Sequence, residues 1–203
     1  MSDYPEYYTP IETVSVETEA KKSKFISTIG NVTSKEEYVS FSQMIQNWYP
    51  NANHNCFAFL IGDPGAPITI GANDDGEPSG TAGKPMLTVL QQNNLGDVVL
   101  FVTRFFGGVK LGTGGLVRAY STAAKTAVER VALTKVIQSK CVQISLPFQF
   151  ESAVRRLLVV MGMHIIDVRY SKDVTIEIDI PLNVLDNFLR RLNDVTKGSN
   201  TFL

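Results

Sequence analysis

The sequence is poor in the residues that most often carry metal or nucleophilic chemistry. Its 203 residues include two cysteines and two histidines, and it contains no C-x-x-C pair. The thiols, Cys56 and Cys141, stand far apart in the chain, which excludes a disulfide-rich secreted scaffold. The amino terminus is polar and acidic, unlike a secretory leader. We therefore expect a protein of the reducing cytoplasm.

Long apolar runs and a strong net charge are also missing. The longest stretch without a charged residue, 38–62, contains Asn, Gln, Ser, His and Pro, so it is too polar to cross a bilayer. We expect no membrane partner. The 19 basic and 20 acidic residues give a net charge of −1, which excludes a protein coated in basic residues for general nucleic-acid binding. We also expect no sequence-specific recognition of DNA. A hydrophobic content of 44% is enough for ordinary globular cores.

Glycine, by contrast, is concentrated in residues 107–115, which we call the glycine loop. This segment lies between an apolar, strand-like run and a helix-like pattern, and every charged residue of 98–128 is basic. Main-chain N–H groups at the start of a helix attract anions. We therefore predict an anion or nucleic-acid site, whose members are Lys84, Arg104, Gly107, Gly108, Lys110, Gly112, Thr113, Gly114, Gly115 and Arg118. The alternative is a tight strand-to-helix turn with unrelated surface charges.

A second segment, 73–85, combines acidic with small residues and is called the acidic loop. Its carboxylates are oxygen ligands of the kind that Mg²⁺ and Ca²⁺ prefer, but the D-D-G-E spacing does not match an EF-hand. Neither loop completes a Walker A or a dinucleotide-binding pattern. We predict no metal and no cofactor. The residues expected to line the site if the two loops meet are His54, Asp74, Asp75, Glu77, Ser79 and Thr81.

Two further features have both a functional and a structural interpretation. His54 and Cys56 alternate along a probable strand and so share a face, but no third ligand or orienting acid is close in sequence. We predict no catalytic residue there. The lysine-rich run 21–24 is typical of a solvated hairpin end, unless it folds beside the glycine loop.

Hydrophobic periodicity divides the first part of the chain into strands and helices. Ser34 and Glu37 form a capping box that begins a helix ending before Pro50. The helix after the glycine loop should bury a face of Leu116, Tyr120, Ala123, Ala124, Ala127 and Val131. The remaining predicted elements are strands at 12–18, 24–31, 56–61, 67–71 and 98–102, and a helix with Pro85 in its first turn.

A change of composition near 133–139 predicts a boundary between two domains, 1–133 and 134–203. The second domain is predicted to contain a strand at 136–146, a helix at 148–161, strands at 164–170 and 174–180, and a helix from 182 to 192. The order β-α-β-β-α is a ferredoxin-like pattern that lacks a clear final strand. The predicted fold class is therefore α+β.

Two stretches closely resemble the signatures of the IMPACT family, including its bacterial YigZ-like members. They are D-D-G-E-P-S-G-T-A-G-K-P at 74–85 and V-T-R-F-F-G-G-V-K-L-G-T-G-G-L-V-R-A-Y at 102–120. The resemblance implies a first domain with the fold of the second domain of a small-subunit ribosomal protein and of the fourth domain of elongation factor G. It implies a small ferredoxin-like second domain, similar to the fifth domain of that factor. In its eukaryotic relatives the family is linked to translational control through a partner that bacteria lack, so that mechanism is not expected to transfer to a two-domain bacterial chain.

These observations lead to one preferred hypothesis and two alternatives. In the preferred hypothesis the protein is a non-enzymatic, translation-associated regulator that binds RNA or the ribosome through the basic glycine loop. In the first alternative it is a Mg²⁺-dependent enzyme that holds a phosphoryl group between the two loops. In the second it is a regulator that binds only another protein.

Overall fold

A computed structural model describes residues 6–203, which divide into two compact units, 6–136 and 137–203. Five helices and three sheets make up the two units, so the predicted α+β class with two domains is confirmed. None of the helices within 6–203 is both long and apolar enough to span a membrane.

The first unit is built on a five-stranded antiparallel sheet with a smaller two-stranded sheet beside it. The strands are β1 (Glu6–Pro10), β2 (Val14–Ala20), β3 (Ser23–Asn31), β4 (His54–Ile61), β5 (Thr69–Asn73), β6 (Val98–Phe105) and β7 (Leu133–Ile137). The large sheet has the order β2-β3-β6-β4-β5, and β1 pairs with β7. The helices of this unit are α1 (Lys35–Trp48), α2 (Gly83–Gln92) and α3 (Thr113–Arg130).

Helices cover both faces of the large sheet. Phe41 and Ile45 of α1 pack with Val99 and Phe101 on one face, while α2 and α3 pack on Val98, Leu100 and Val102 of the other. Strand β6 is therefore buried on both sides, which explains its continuous apolar sequence. The buried face predicted for α3 is confirmed in full.

The start of α1 shows how local sequence signals operate here. The Ser34 hydroxyl accepts a hydrogen bond from the N–H of Glu37 at 3.2 Å, as the capping box predicts. The Glu37 carboxylate accepts from the N–H of Thr33 at 2.7 Å. Both bonds satisfy N–H groups near the helix start, which fixes where the helix begins.

The second unit has the ferredoxin-like arrangement. Its elements are β8 (Ser139–Leu146), α4 (Phe148–Val160), β9 (Ile165–Tyr170), β10 (Val174–Pro181), α5 (Leu182–Thr196) and β11 (Thr201–Phe202). The sheet order is β11-β8-β10-β9, and Ile176, Ile178 and Ile180 of the central strand β10 are fully buried. The final strand that the sequence left unclear is present as two residues, with Thr201 opposite Ser145.

Several predicted strands need correction. The single strand expected at 136–146 is two strands, because β7 pairs with β1 while β8 begins a different sheet. Strand β1 itself was not predicted, and β5 starts at Thr69, two residues later than expected. The pairing partners of β1 and β7 lie at opposite ends of the first unit's sequence, so no local pattern reveals them.

Candidate functional site

The candidate site lies at one edge of the large sheet, where strands β3 and β4 begin and the strand between them, β6, ends. Register places His54, the first residue of β4, opposite Arg104, the penultimate residue of β6. Phe25, near the start of β3, is opposite Arg104 on the other side. The chain leaves β6 at this edge of the sheet to form the glycine loop, and the acidic loop approaches the same edge through Glu77.

Arg104 is buried and held by protein acceptors. Its NH1 group donates to Glu77 Oε1 at 2.6 Å, and its NH2 group donates to Ser23 Oγ at 3.3 Å. The guanidinium carbon lies 5.5 Å from the ring centre of Phe25 and 5.6 Å from that of Phe106. Among the described residues, Nε has no hydrogen-bond partner. Arg104 is a predicted member of the anion site, but two of its three guanidinium nitrogens already donate to protein acceptors.

Glu77 is the centre of a buried polar network. Its Oε1 accepts from the Tyr120 hydroxyl at 2.8 Å as well as from Arg104, and it lies 3.9 Å from His54 Nε2. Burial raises the pKa of the Tyr120 hydroxyl, and the neighbouring Cys56 and Glu77 raise it further. A buried carboxylate is tolerated when it is paired and hydrogen-bonded in this way. Glu77 therefore joins α3 to the sheet edge, and its side chain is almost fully buried.

The thiol of Cys56 belongs to the same buried region. Its single S–H donates to the Asp74 carbonyl at 3.0 Å, and its Sγ also lies 3.3 Å from the Tyr120 hydroxyl. Burial raises its pKa to about 12, with further increases from nearby carboxylates and an opposing effect of Tyr120. A thiol that stays protonated is a poor nucleophile. The geometry thus gives Cys56 a packing role.

The acidic loop uses its carboxylates to hold its own backbone. Asp74 accepts from the N–H groups of Gly80, Ala82 and Gly83 at 2.7, 2.9 and 2.8 Å. Partial burial opposes ionisation, but these three donors lower the pKa of Asp74 below its usual value. Since Gly83 begins α2 and Ala82 offers no capping side chain, Asp74 supplies the helix with the anionic cap that its own sequence lacks.

The other predicted members of the acidic loop behave similarly. The Asp75 carboxylate accepts from the N–H of Asn55 at 2.6 Å, and the Asp75 carbonyl accepts from His54 Nδ1 at 2.7 Å. The hydroxyl of Thr81 is buried and donates to the Pro78 carbonyl at 2.6 Å, whereas Ser79 is exposed. Within 6–203, no three His, Cys, Asp or Glu side chains gather where they could hold a metal ion.

The glycine loop is open where the acidic loop is closed. Gly112, with φ of 73°, is the N-cap of α3, and no side chain caps this helix. The N–H groups of Thr113, Gly114 and Gly115 have no acceptor inside the helix, because they belong to its first turn. A Cβ placed on Gly112 or Gly114 would meet nothing within 4 Å. The main chain at Gly112 and Gly114 is therefore open to the approach of an external acceptor.

The lysine run of the β2–β3 hairpin folds beside the glycine loop. Lys21 and Lys22 form its two-residue turn with φ of 45° and 66°, the left-handed values that such a hairpin requires. Gly107 packs against this turn so closely that a Cβ there would lie 1.8 Å from the Lys22 carbonyl oxygen. The alternative that the sequence left open is therefore observed.

A cleft of about 460 Å³ opens beside these elements. Its lining combines apolar side chains with polar groups from both loops and from the sheet edge: Asn53, His54, Glu77, Pro78, Arg104, Phe106, Lys110, Leu111, Gly112, Thr113 and Leu116. The cleft thus brings His54 and Glu77 together with four predicted members of the anion site, Arg104, Lys110, Gly112 and Thr113.

The remaining predicted cations lie in two other grooves of the first unit. Arg118 lines a groove of about 280 Å³ with Lys21 and Gly115, next to the glycine loop. Lys84 lines a third groove with Lys125, between α2 and α3. The structure therefore groups Lys110 and Arg118 around the glycine loop and separates Lys84 from them.

The roles of Tyr120 and Phe106 in the site were not predicted from the sequence. Tyr120 was predicted only as part of a buried helix face, although it is the one residue of that face with a polar atom, which needs a partner when buried. Phe106 directly precedes the glycine loop and is 48% exposed. Its position next to a predicted binding loop is the sequence feature that could have indicated a role in the site.

Comparison with known proteins relates both units to described families. Residues 21–128 match the Impact N-terminal domain, and residues 144–199 match the Domain of unknown function (DUF1949). The chain is 33% identical to the IMPACT family member YigZ of Escherichia coli over 192 residues, which are 94% of this chain and 93% of that protein. It is also 33% identical to the IMPACT family member YvyE of Bacillus subtilis over 194 residues, which are 96% of this chain and 88% of that protein.

A solved crystal structure of a hypothetical protein has the same fold. It is 31% identical in sequence and superimposes with a TM-score of 0.70 over 98% of this chain and 97% of that one. The two domain matches and the full-length relatives agree with each other. The chain therefore belongs to the IMPACT family.

Proposed function

We propose that this protein is a non-enzymatic, cytoplasmic regulator that binds RNA or the ribosome through the glycine loop and the cations around it. Membership of the IMPACT family points to translation-associated regulation, and this supports the regulatory part of the proposal. The main support for RNA or ribosome binding is the packing of Gly107 on the Lys21–Lys22 turn, because this contact brings the basic hairpin turn next to the basic glycine loop.

The resulting basic surface consists of Lys21, Lys22, Lys110 and Arg118. All four side chains are exposed, and none forms an ion pair within residues 6–203. Lys24, in contrast, is paired with Glu17 at 2.5 Å. Unpaired cations around an open helix start attract phosphates through both charge and directed N–H donors. Such contacts fix position on a nucleic acid without reading its sequence.

The acidic loop gives no comparable support to a Mg²⁺-dependent enzyme. Asp74 and Asp75 bind backbone N–H groups of their own surroundings, and Glu77 is buried against Arg104 and Tyr120. Converting these carboxylates into metal ligands would break the contacts that hold the loop and the start of α2. The geometry therefore favours the binding hypothesis.

Sedimentation with purified ribosomes, at low and at physiological salt, tests the proposal. The wild type should travel with ribosomal particles, and salt should weaken the association because counterions compete for the phosphates. Lys110→Ala/Arg118→Ala should lose most of the binding. The matched control is Lys84→Ala/Lys125→Ala, which removes the same charge from the same unit in a different groove and should retain binding.

Two results would contradict the proposal. The wild type could fail to sediment with ribosomes and fail to bind RNA even at low salt, in which case a protein partner becomes the better hypothesis. Equal losses from the two double variants would mean that binding follows total charge and not the glycine-loop surface.

A further inference from the structure

We infer that the cleft beside the glycine loop binds one unstacked nucleotide of a single-stranded RNA, with its base against Phe106 and its phosphate at the start of α3. This inference rests on the proposed function and adds to it a class of RNA and a residue that selects it. It is carried by the cleft lining and by the environment of one aromatic ring.

The ring of Phe106 is exposed and yet held in place. It lines the cleft with 48% of its surface accessible, and the Arg104 guanidinium lies 5.6 Å from its centre. Arg104 itself donates to Glu77 and Ser23, so two protein acceptors hold the cation next to the ring. An exposed aromatic backed by a fixed cation is a platform on which a base can stack.

The phosphate end of the cleft is formed by the start of α3. Lys110, Gly112 and Thr113 line this part, and no side chain caps the helix. The positive end of a helix with free N–H groups and a nearby lysine suits a phosphate. The cleft therefore has an anion-binding end and an aromatic wall within one volume of about 460 Å³.

Polar groups at the sheet edge can meet the edge of a base. Asn53 uses Oδ1 to accept from the N–H of Phe106 at 2.8 Å, so its amide N–H donors are not used in that bond. Among the described residues, the buried Nε of Arg104 has no partner, and Arg104 lines the same cleft. A buried donor without an acceptor is rare in folded proteins, and an acceptor on a bound ligand would satisfy it.

These features select for unpaired bases. A base inside a duplex is stacked on both faces and paired along its edge, so it cannot lie against Phe106, whereas a base in a single strand can. The basic surface, in contrast, contacts phosphates of either form. Phe106 should therefore set the preference for single strands, and the cations should set overall affinity.

Fluorescence anisotropy with a labelled uridine-rich oligonucleotide, alone and annealed to its complement, tests the inference on the full chain. The wild type should prefer the single strand. Phe106→Ala should weaken single-strand binding roughly 5- to 150-fold, the range for loss of one stacked base, and leave duplex binding unchanged. Phe106→Tyr should restore the preference, and Trp48→Ala, which removes an exposed aromatic outside the cleft, should have no effect.

The outcomes separate this inference from the function on which it rests. If Phe106→Ala binds the single strand as tightly as wild type while Lys110→Ala/Arg118→Ala does not, the inference is wrong and the proposed function stands. If the wild type binds neither form but sediments with ribosomes, the inference alone is wrong. If it binds neither form and does not sediment with ribosomes, both fail. If free uridine monophosphate competes as effectively as the oligonucleotide, the cleft takes a small nucleotide and the assignment to RNA is overturned.

Discussion

The acidic loop and the glycine loop meet at one edge of the same sheet and differ in what their polar groups do. Asp74 accepts three hydrogen bonds from its own segment, and Glu77 is closed between Arg104 and Tyr120. The glycine loop instead leaves the first turn of α3 uncapped. Composition alone therefore does not show whether a polar, glycine-rich segment can bind a ligand, because this depends on whether its donors and acceptors are already satisfied within the protein.

The largest effect should come from breaking the framework around Glu77. In Glu77→Ala the guanidinium of Arg104 stays buried without its carboxylate, so the free energy of unfolding should fall by about 3–5 kcal/mol. Urea unfolding followed by the fluorescence of Trp48, the single tryptophan, reports on the first unit. Arg104→Met in the Glu77→Ala background should recover part of the loss; an unchanged midpoint in Glu77→Ala would contradict the account.

Two glycines of the glycine loop should respond in opposite ways to the same substitution. Gly107→Ala forces a Cβ into the backbone of the Lys22 turn and should cost about 3 kcal/mol, near the upper end of overpacking effects. Gly114→Ala meets open space inside α3 and should stabilise by about 0.5 kcal/mol, because alanine loses less entropy in a helix. Unfolding monitored at Trp48 measures both, and equal effects would refute the distinction.

Asp74→Asn should give a smaller, pH-dependent loss. The pKa of Asp74 is lowered in the folded state by its three N–H donors, so its carboxylate stabilises the fold above the unfolded pKa, near 3.9. That stabilisation disappears as the pH falls through the lower folded pKa. We expect a deficit of about 2 kcal/mol at neutral pH that shrinks in acid. A deficit independent of pH down to full protonation would show that the charge is not responsible.

The smallest effect concerns an acid at the edge of the basic surface. Glu19 lines the same groove as Lys21 and Arg118. Glu19→Gln removes a charge that repels phosphate, so RNA affinity at low salt should rise by about 2-fold, with the gain fading as salt screens the interaction. Anisotropy titrations measure it, with Glu36→Gln on α1 as the control. A loss of affinity would place the RNA elsewhere.

Much of the fold follows from local signals in the sequence. The capping box at Ser34 begins α1 where expected, and the spacing of apolar residues gives the buried face of α3. These features depend on neighbours within a turn or two of the chain, which a single sequence displays. The pairing of β1 with β7 cannot be predicted from such local signals, because the two strands come from opposite ends of the first unit's sequence.

The candidate site was only partly predictable for the same reason. The sequence located both loops, but the ion pair of Glu77 with Arg104 joins residues on separate elements, and only the sheet register and the approach of the acidic loop bring them together. The sequence alone does not show whether a charged residue is buried in an ion pair or exposed at the surface. Arg104 was consequently grouped with Lys110 and Arg118, from which its burial distinguishes it.

Phosphate binding by the glycine loop is best tested by the salt dependence of RNA affinity, measured for the wild type and for Lys110→Ala/Arg118→Ala. If the open glycine loop and its cations bind phosphates, log affinity should fall linearly with log salt, and the double variant should show a slope smaller by about 1 to 2. Lys84→Ala/Lys125→Ala should keep the wild-type slope. A wild-type affinity that does not change with salt, or identical slopes in all three proteins, would contradict the account.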